Sequence, residues 1–299
     1  MIGTGIIALA GTVGGVELRP WDVSRLDDLA RLVGAALPDE ALTADELQSC
    51  CYDDPSVVVG IDDAAGPLAV GAVSVADHHG FVSASVKLLV VRPGSQRSGI
   101  GRAVLEALER EARSAGATTI SLGGSVPSYL WPAVDVSHLG MLCLAEAAGY
   151  RGGHLDMNMS LPVTFRRRPP EGIVVERVLA DELAGEVVQW CDATFPQWTP
   201  EVRTAIEQGG CHVAIDDATG AVRGVGCHSV NRAGWVGPMA TDPVHQTAGV
   251  GSALLSVICT DLMVAGRKEA EISWVGPVRF YAKAGAVVSR VFRSLSKPL

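Results

Sequence analysis

Aromatic side chains make up only 5% of the 299 residues and charged ones only 19%, while apolar residues account for 48%. Such a chain is too apolar for disorder and has to fold around packed cores. Positive charge is also scarce: 24 Lys and Arg stand against 33 Asp and Glu, a formal net charge of -9. That excludes a general nucleic-acid binder, which needs clustered cations to neutralise phosphates, and suits a cationic small molecule. The one basic run, Arg166 to Arg168, adjoins Pro169 and Pro170 and reads as a solvated linker rather than a binding patch.

The seven cysteines and seven histidines show no CxxC or HxxxH spacing, so no metal site is expected. Adjacent Cys50 and Cys51 are a poor geometry for bridging each other, and reduced thiols in a cytoplasmic protein are expected. No apolar stretch reaches the length of a membrane span. The opening MIGTGIIALAGTVGG lacks a basic flank, and residues 1–15 read as a disordered leader rather than a signal peptide.

What the sequence does contain is a repeat. Pro93, Gln96, Gly99 and Gly101 recur 150 positions later as Pro243, Gln246, Gly249 and Gly251. Upstream, VVVGIDDAAGPLAVGAVSV resembles CHVAIDDATGAVRGVGCHSV, two apolar runs around an Asp and Gly turn, which is a hairpin signature. Each half therefore reads in one order. A strand opens it, helical segments follow, then the hairpin and a further strand (SVKLLVV or WVGPMAT). A glycine turn next leads into an amphipathic helix, and a strand and a short helix close the half. The expected organisation is two tandem α/β (α+β) domains over 16–160 and 173–299, each a mixed, mainly antiparallel sheet flanked by helices, joined by a linker over 161–172.

The turns SQRSGIGR and HQTAGVGS leave two readings open, a plain strand-to-helix connection or an amide cradle for phosphate. A glycine turn entering a helix aims unpaired N–H groups and the positive end of the helix dipole at one point. No GK[ST] follows, which disfavours a triphosphate loop, and no βαβ unit with a ribose-binding acid follows, which disfavours a dinucleotide.

The two segments Pro93–Gly101 and Pro243–Gly251 resemble motif A of the GCN5-related N-acetyltransferase (GNAT) superfamily, with its Q/R-x-x-G-x-G/A signature, in tandem copies spanning essentially the whole chain. The resemblance implies acetyl-CoA as co-substrate and transfer of its acetyl group to a primary amine. Carried over, the cofactor contacts in the second half are Met239, Ala240 and Thr241 on the strand, with Gln246, Thr247, Ala248, Gly249, Val250, Gly251 and Ser252 at the turn. Gln96, Arg97, Gly99, Gly101 and Arg102 form a possible second cradle. Thr247 and Ala248 depart from the basic residues common in the family. A Tyr four residues before a glycine, which can protonate the leaving thiolate in that family, is matched by Tyr281 before Gly285, whereas Ala145 stands at that place in the first half. The second half is therefore the expected catalytic domain, with the first as scaffold and cleft wall.

WVGPMAT carries no acid to serve as a general base for the amine. Glu271, an acid among apolar neighbours in EAEISWV, ranks first, followed by His228 in GCHSV and Asp192 in QWCDATFPQW. Trp198 beside Asp192, and Trp131 beside Asp135, offer flat apolar faces near acids that suit an amino sugar. SYLWPAVD and ATFPQWTPEV are similar to segments of tandem glucosamine and glucosaminide N-acetyltransferases. Hydroxyls beside a sugar amine lower its pKa below the ~10.4 of lysine, so a weak base suffices. Aminoglycoside, polyamine and peptide amines are the alternative acceptors, and a catalytically silent CoA sensor is the alternative outside enzymes. No membrane or nucleic-acid partner is expected, and the chain is expected as a monomer or homodimer.

Overall fold

The computed structural model describes residues 12–13, 16–53, 55–78, 80–179, 182–245 and 249–299. Most of the expected leader thus lies outside the described residues. The first half contains β1 (Arg19–Pro20), α1 (Leu26–Ala36), α2 (Ala44–Cys51), β2 (Ser56–Asp63), β3 (Gly66–His78), β4 (Phe81–Val91), α3 (Ile100–Ser114), β5 (Thr119–Leu122), β6 (Val134–Asp135), α4 (Leu139–Ala147) and β7 (Leu155–Pro162). The second contains β8 (Ile173–Arg177), α5 (Glu182–Thr194), α6 (Thr199–Glu207), β9 (Cys211–Asp216), β10 (Val222–His228), β11 (Trp235–Thr241), α7 (Val250–Val264), β12 (Glu269–Ile272), α8 (Val278–Lys283), β13 (Val287–Arg293) and β14 (Ser296–Pro298). The expected order of elements recurs in both halves, as two mixed sheets flanked by helices.

Local chemistry explains the main elements. The hairpin between β2 and β3 turns where Asp63 Oδ1 accepts the Ala65 N–H at 2.8 Å and Gly66 takes φ +101°. The matching turn uses Asp216 Oδ1 on the Thr219 N–H at 3.0 Å, with Gly220 at φ +72°. Helix α2 starts on a reciprocal cap between Thr43 and Glu46. Helix α3 buries Val104, Leu105, Leu108 and Ala112, a spacing that keeps one face apolar.

The compact units do not follow the halves of the sequence. One comprises Met1–Leu155 with Phe292–Leu299, the other Asp156–Val291. In the first, the sheet order is β14-β5-β4-β3-β2-β1, antiparallel except for β4 with β5. One face carries Leu18, Ile61, Leu105 and Leu108 with α3, and the other packs Trp21, Leu29, Leu47 and Val70 under α1 and α2. In the second unit the order is β8-β9-β10-β11-β12-β7-β13.

Each unit is thus finished by a strand from the far end of the other half. β14 lies antiparallel on β5, pairing Ser296 with Ser121, and β7 lies on β12, pairing Glu271 with Ser160. The part of the expected linker nearest β7 belongs to the second unit's core: Leu161 and Val163 are buried, Phe165 packs beside them, and the Arg167 N–H donates to Ser256 Oγ at 2.9 Å. Arg166 to Arg168 are exposed, as a solvated run should be.

All seven cysteines are free thiols and only Cys143 is exposed. No helix among the described residues is long and apolar enough to cross a membrane.

If β14 seals the edge of β5, a chain truncated after Val291 will exchange the amides of Thr119–Leu122 at least tenfold faster by hydrogen–deuterium mass spectrometry. Unchanged protection there would contradict the pairing.

Candidate active site

In the first unit, β4 and β5 pair only from Ser83 opposite Thr119 to Val86 opposite Leu122. The Gly123 N–H to Val86 O bond, at 2.9 Å, is the last rung described. Beyond it β4 runs on to Val91 without β5. The β3–β4 register also jumps here, from Val73 opposite Val86 to Ala72 opposite Leu88, leaving Lys87 as a bulge. A bulge reverses which residues face each neighbour. Val82 and Val86 direct their carbonyls to the β5 side before it, while after it the Arg92 N–H goes to Leu68 O on the β3 side. By alternation, Leu89 and Val91 turn their N–H and C=O groups toward the opening.

The turn after β4 completes the opening. Gly94, Arg97 and Gly99 have φ of +82°, +65° and +88°, and Gln96 Nε2 donates to Val91 O at 3.2 Å. Helix α3 begins at Ile100, so its first amides have no partner within the helix. A side chain on Gly101 would meet Leu144, Val91 and Leu89 at 3.5–3.7 Å, so the glycine keeps the floor of the turn low. A cavity of about 610 Å³ runs from Gln96, Arg97, Gly99, Gly101 and Arg102 along β4 to Trp131, Asp135 and His138. Two residues named from sequence as acceptor contacts, Trp131 and Asp135, therefore share a cavity with the first cradle.

Beside Asp135, the cavity wall holds Lys87 and His138, which the sequence reading missed. Lys87 is fully buried by its side chain, with Nζ 2.6 and 2.7 Å from the two carboxylate oxygens of Asp53. His138 Nε2 lies 3.6 Å from Oε1 of the buried Glu40. Asp135, 6% exposed, accepts from Ser137 N–H at 2.8 Å and Ser137 Oγ at 2.6 Å. Lys87 carried a signal, being the single charge in SVKLLVV. Glu40 and His138 carried none, because only the fold brings them together.

The second unit repeats the splay. β11 and β12 pair in parallel only at Trp235–Glu271 and Val236–Ile272, and the β10–β11 register shifts between Gly226 and His228. Met239 and Thr241 fall where Leu89 and Val91 fall in the first unit, while Ala240 is buried on the α5/α6 side. Gln246, Thr247 and Ala248 lie outside the described residues. Gly249 has φ +87° and caps α7, followed by buried Val250 and half-buried Ser252. A side chain on Gly251 would sit 3.4 Å from both Phe280 and Thr241 Oγ1, and one on Gly249 would sit 3.5 Å from Pro170, so both glycines already have neighbours packed against them.

Tyr281 is 6% exposed and packs with Val236, Leu255 and Ile272, its ring edge-on to Phe280 at 4.8 Å. Burial alone pushes its hydroxyl pKa above the usual range, which keeps the phenol protonated. Glu271 is half-buried and its Oε1 accepts from Asn158 Nδ2 at 2.6 Å. His228 is engaged elsewhere, with Nε2 3.2 Å from Asp261 Oδ2 and Nδ1 3.1 Å from Ser229 Oγ. Asp192 is exposed and 3.8 Å from Arg203. Trp198 stacks on Phe195 at 5.1 Å, which in turn tilts against Trp190. One further acid emerges on α6: Glu201, 6% exposed, held by Asn231 Nδ2 at 3.4 Å.

Residues 26–129 match the model of the Acetyltransferase (GNAT) family. Among solved structures, a GCN5-related glucosamine N-acetyltransferase region of a fungal multi-domain GH3 beta-N-acetylglucosaminidase superposes with a TM-score of 0.78 at 17% identity, over 99% of this chain and 40% of that one. A tandem GNAT protein from the clavulanic acid biosynthesis pathway, solved without acetyl-CoA, gives 0.71 at 18% over 95% and 98%. A GCN5-related N-acetyltransferase from Sphaerobacter thermophilus gives 0.69 at 18% over 95% of each chain. No curated protein sequence matches the chain significantly. The chain thus carries a match to the GNAT family model within its first half and shares the fold of a tandem GNAT protein over nearly its whole length.

Burial raises the Glu201 carboxyl to about 7 from its ordinary 4.5. The unfolded chain releases this proton first as pH rises, so the group's stabilising contribution is complete below pH 4.5 and is lost by about pH 7, on the order of 3 kcal/mol. Glu201→Gln should flatten the pH dependence of the urea midpoint across that window and leave the protein more stable than the parent at pH 8. A parallel loss in both proteins would remove Glu201 as its source.

Proposed function

We propose that this protein transfers the acetyl group of acetyl-CoA to the primary amine of a small molecule, an amino sugar first among them, with the cofactor in the cleft of the first unit. The continuity of that cleft carries the reading: one cavity of about 610 Å³ joins the glycine turn, the unpaired edge of β4 and the Trp131–Asp135–His138 wall. In this reading the amides entering α3 take the pyrophosphate, with Arg97 and Arg102 adding charge. The N–H and C=O of Leu89 and the Val91 N–H take the pantetheine arm, and an amide on the same edge polarises the thioester carbonyl.

The neutral amine then attacks the carbonyl carbon. The tetrahedral intermediate collapses with cleavage of the C–S bond, and the amine proton passes to Asp135 or His138. The CoA thiolate takes its proton from solvent, since Ala145 stands where a phenol would serve. The face of Trp131 beside Asp135 suits a sugar ring bearing an ammonium. The shared fold with a glucosamine N-acetyltransferase region is in keeping with that acceptor.

A second reading places the chemistry in the second unit, and Tyr281 favours it. Its buried, protonated phenol is the donor that the first unit lacks, with Glu271 as base. Gly101→Asp and Gly251→Asp put an anion into one turn or the other, while Tyr281→Phe removes the phenol. The first-unit reading expects Gly101→Asp to weaken acetyl-CoA binding by calorimetry, and glucosamine-dependent CoA release, at least tenfold, with Tyr281→Phe near the parent. The reverse pattern, with Tyr281→Phe lowering turnover tenfold or more at unchanged cofactor affinity, selects the second unit. Binding of acetyl-CoA without CoA release to glucosamine, an aminoglycoside, a polyamine or a peptide amine would replace both with a CoA sensor.

A further inference from the structure

Away from the clefts, three metal-ligating side chains meet on one face of the second sheet. His212 is on β9 opposite Gly226, and His228 lies two residues further along β10, so the two rings share a face as diagonal neighbours, 6.1 Å apart and nearly parallel. Helix α7 covers that face. Leu254 and Ile258 approach so closely that a side chain on Gly226 would meet them at 3.2 and 3.1 Å, and Asp261 follows one turn later. His212 Nε2 is 2.7 Å and His228 Nε2 3.2 Å from Asp261 Oδ2, and one donor atom from each of the three lies within 4.8 Å of the others.

An aspartate in the last turn of a helix faces the negative end of the dipole, so it calls for a cation. Arg177 from β8 supplies one at present, with Nη2 2.5 Å from Asp261 Oδ2. Its side chain, which also donates from Nη1 to the Gly209 carbonyl, is 42% exposed, whereas the His212 side chain is 6% exposed and His228 12%.

We propose that His212, His228 and Asp261 form a site for a divalent transition metal ion, Zn²⁺ by donor type, in which the metal takes the place of the Arg177 guanidinium. Two imidazoles and one carboxylate suit Zn²⁺, Co²⁺ or Ni²⁺, and tetrahedral coordination at ~2.1 Å separates its donors by roughly 3.4 Å. The His228–Asp261 edge already has about that length, and the His212–Asp261 edge has to open by roughly 0.7 Å. Ser229 Oγ, 3.1 Å from His228 Nδ1, is placed to orient that ring from behind. Three protein donors leave a fourth position for water. Asp261 lies twelve residues beyond Gly249, about 18 Å along the helix, so the metal would pin the far end of α7 to the sheet without touching the glycine turn.

The test is titration of the EDTA-treated, desalted full chain with Zn²⁺ by calorimetry, and with Co²⁺ by visible absorption. One saturable equivalent, a Co²⁺ spectrum without a thiolate charge-transfer band, and at least tenfold weaker binding in His228→Ala with unchanged far-UV circular dichroism would support the site. Arg177→Gln keeps every ligand and removes the competing cation, so it should tighten binding about threefold or more. Absence of saturable binding, equal affinity in His228→Ala, or weaker binding in Arg177→Gln would each overturn the proposal. The readout needs no acetyl transfer, so it stands or falls apart from the functional reading.

Discussion

The structure depends on a strand that is only partly paired. β4 is eleven residues long and β5 is four, so the sheet runs out of partner halfway along its central strand. Backbone amides left open inside a cleft cost about 1–3 kcal/mol each unless water or a ligand satisfies them. The bulge at Lys87 sets which groups are open, and the Lys87–Asp53 ion pair holds the bulge from behind. Helices pack over both faces of the sheet while the far edge of β4 is left without a strand partner. An extended ligand that can accept and donate along its length is what such an edge would suit in the proposed function.

The two copies have diverged in what surrounds this common edge. The first unit has a cavity with Asp135 and His138 along its wall. The second has a buried phenol, Tyr281, where the first has Ala145. Its polar side chains are drawn into other networks: Glu271 to Asn158, and His228 to Asp261. Duplication thus leaves one fold with two differently furnished clefts, which is why function has to be argued from each site separately.

Much of this was legible in the sequence because it rests on local rules. Hairpins at Asp63–Gly66 and Asp216–Gly220, helices after Gly99 and Gly249, and the repeat itself follow from turn chemistry and periodicity. The glycine turn stood out for the same reason. What was not legible depends on distant residues meeting. Glu40 with His138, Asp53 with Lys87, and His212 with His228 and Asp261 are separated by 16 to 98 positions and share no spacing rule. The unit boundaries fall in this class too: nothing local says that Asp156–Pro162 will pair with β12, or that Ser296–Pro298 will pair with β5.

That last pairing bears on how the protein is made. The sheet of the first unit cannot close until residues 292–299 have emerged from the ribosome, more than 130 residues after Leu155. Until then the outer edge of β5 is an open template for any passing strand. Domain-by-domain folding during synthesis, the usual protection for a long chain, is therefore denied to the half that is made first. Its completion waits on the second unit, and contacts so distant in sequence favour slow closure.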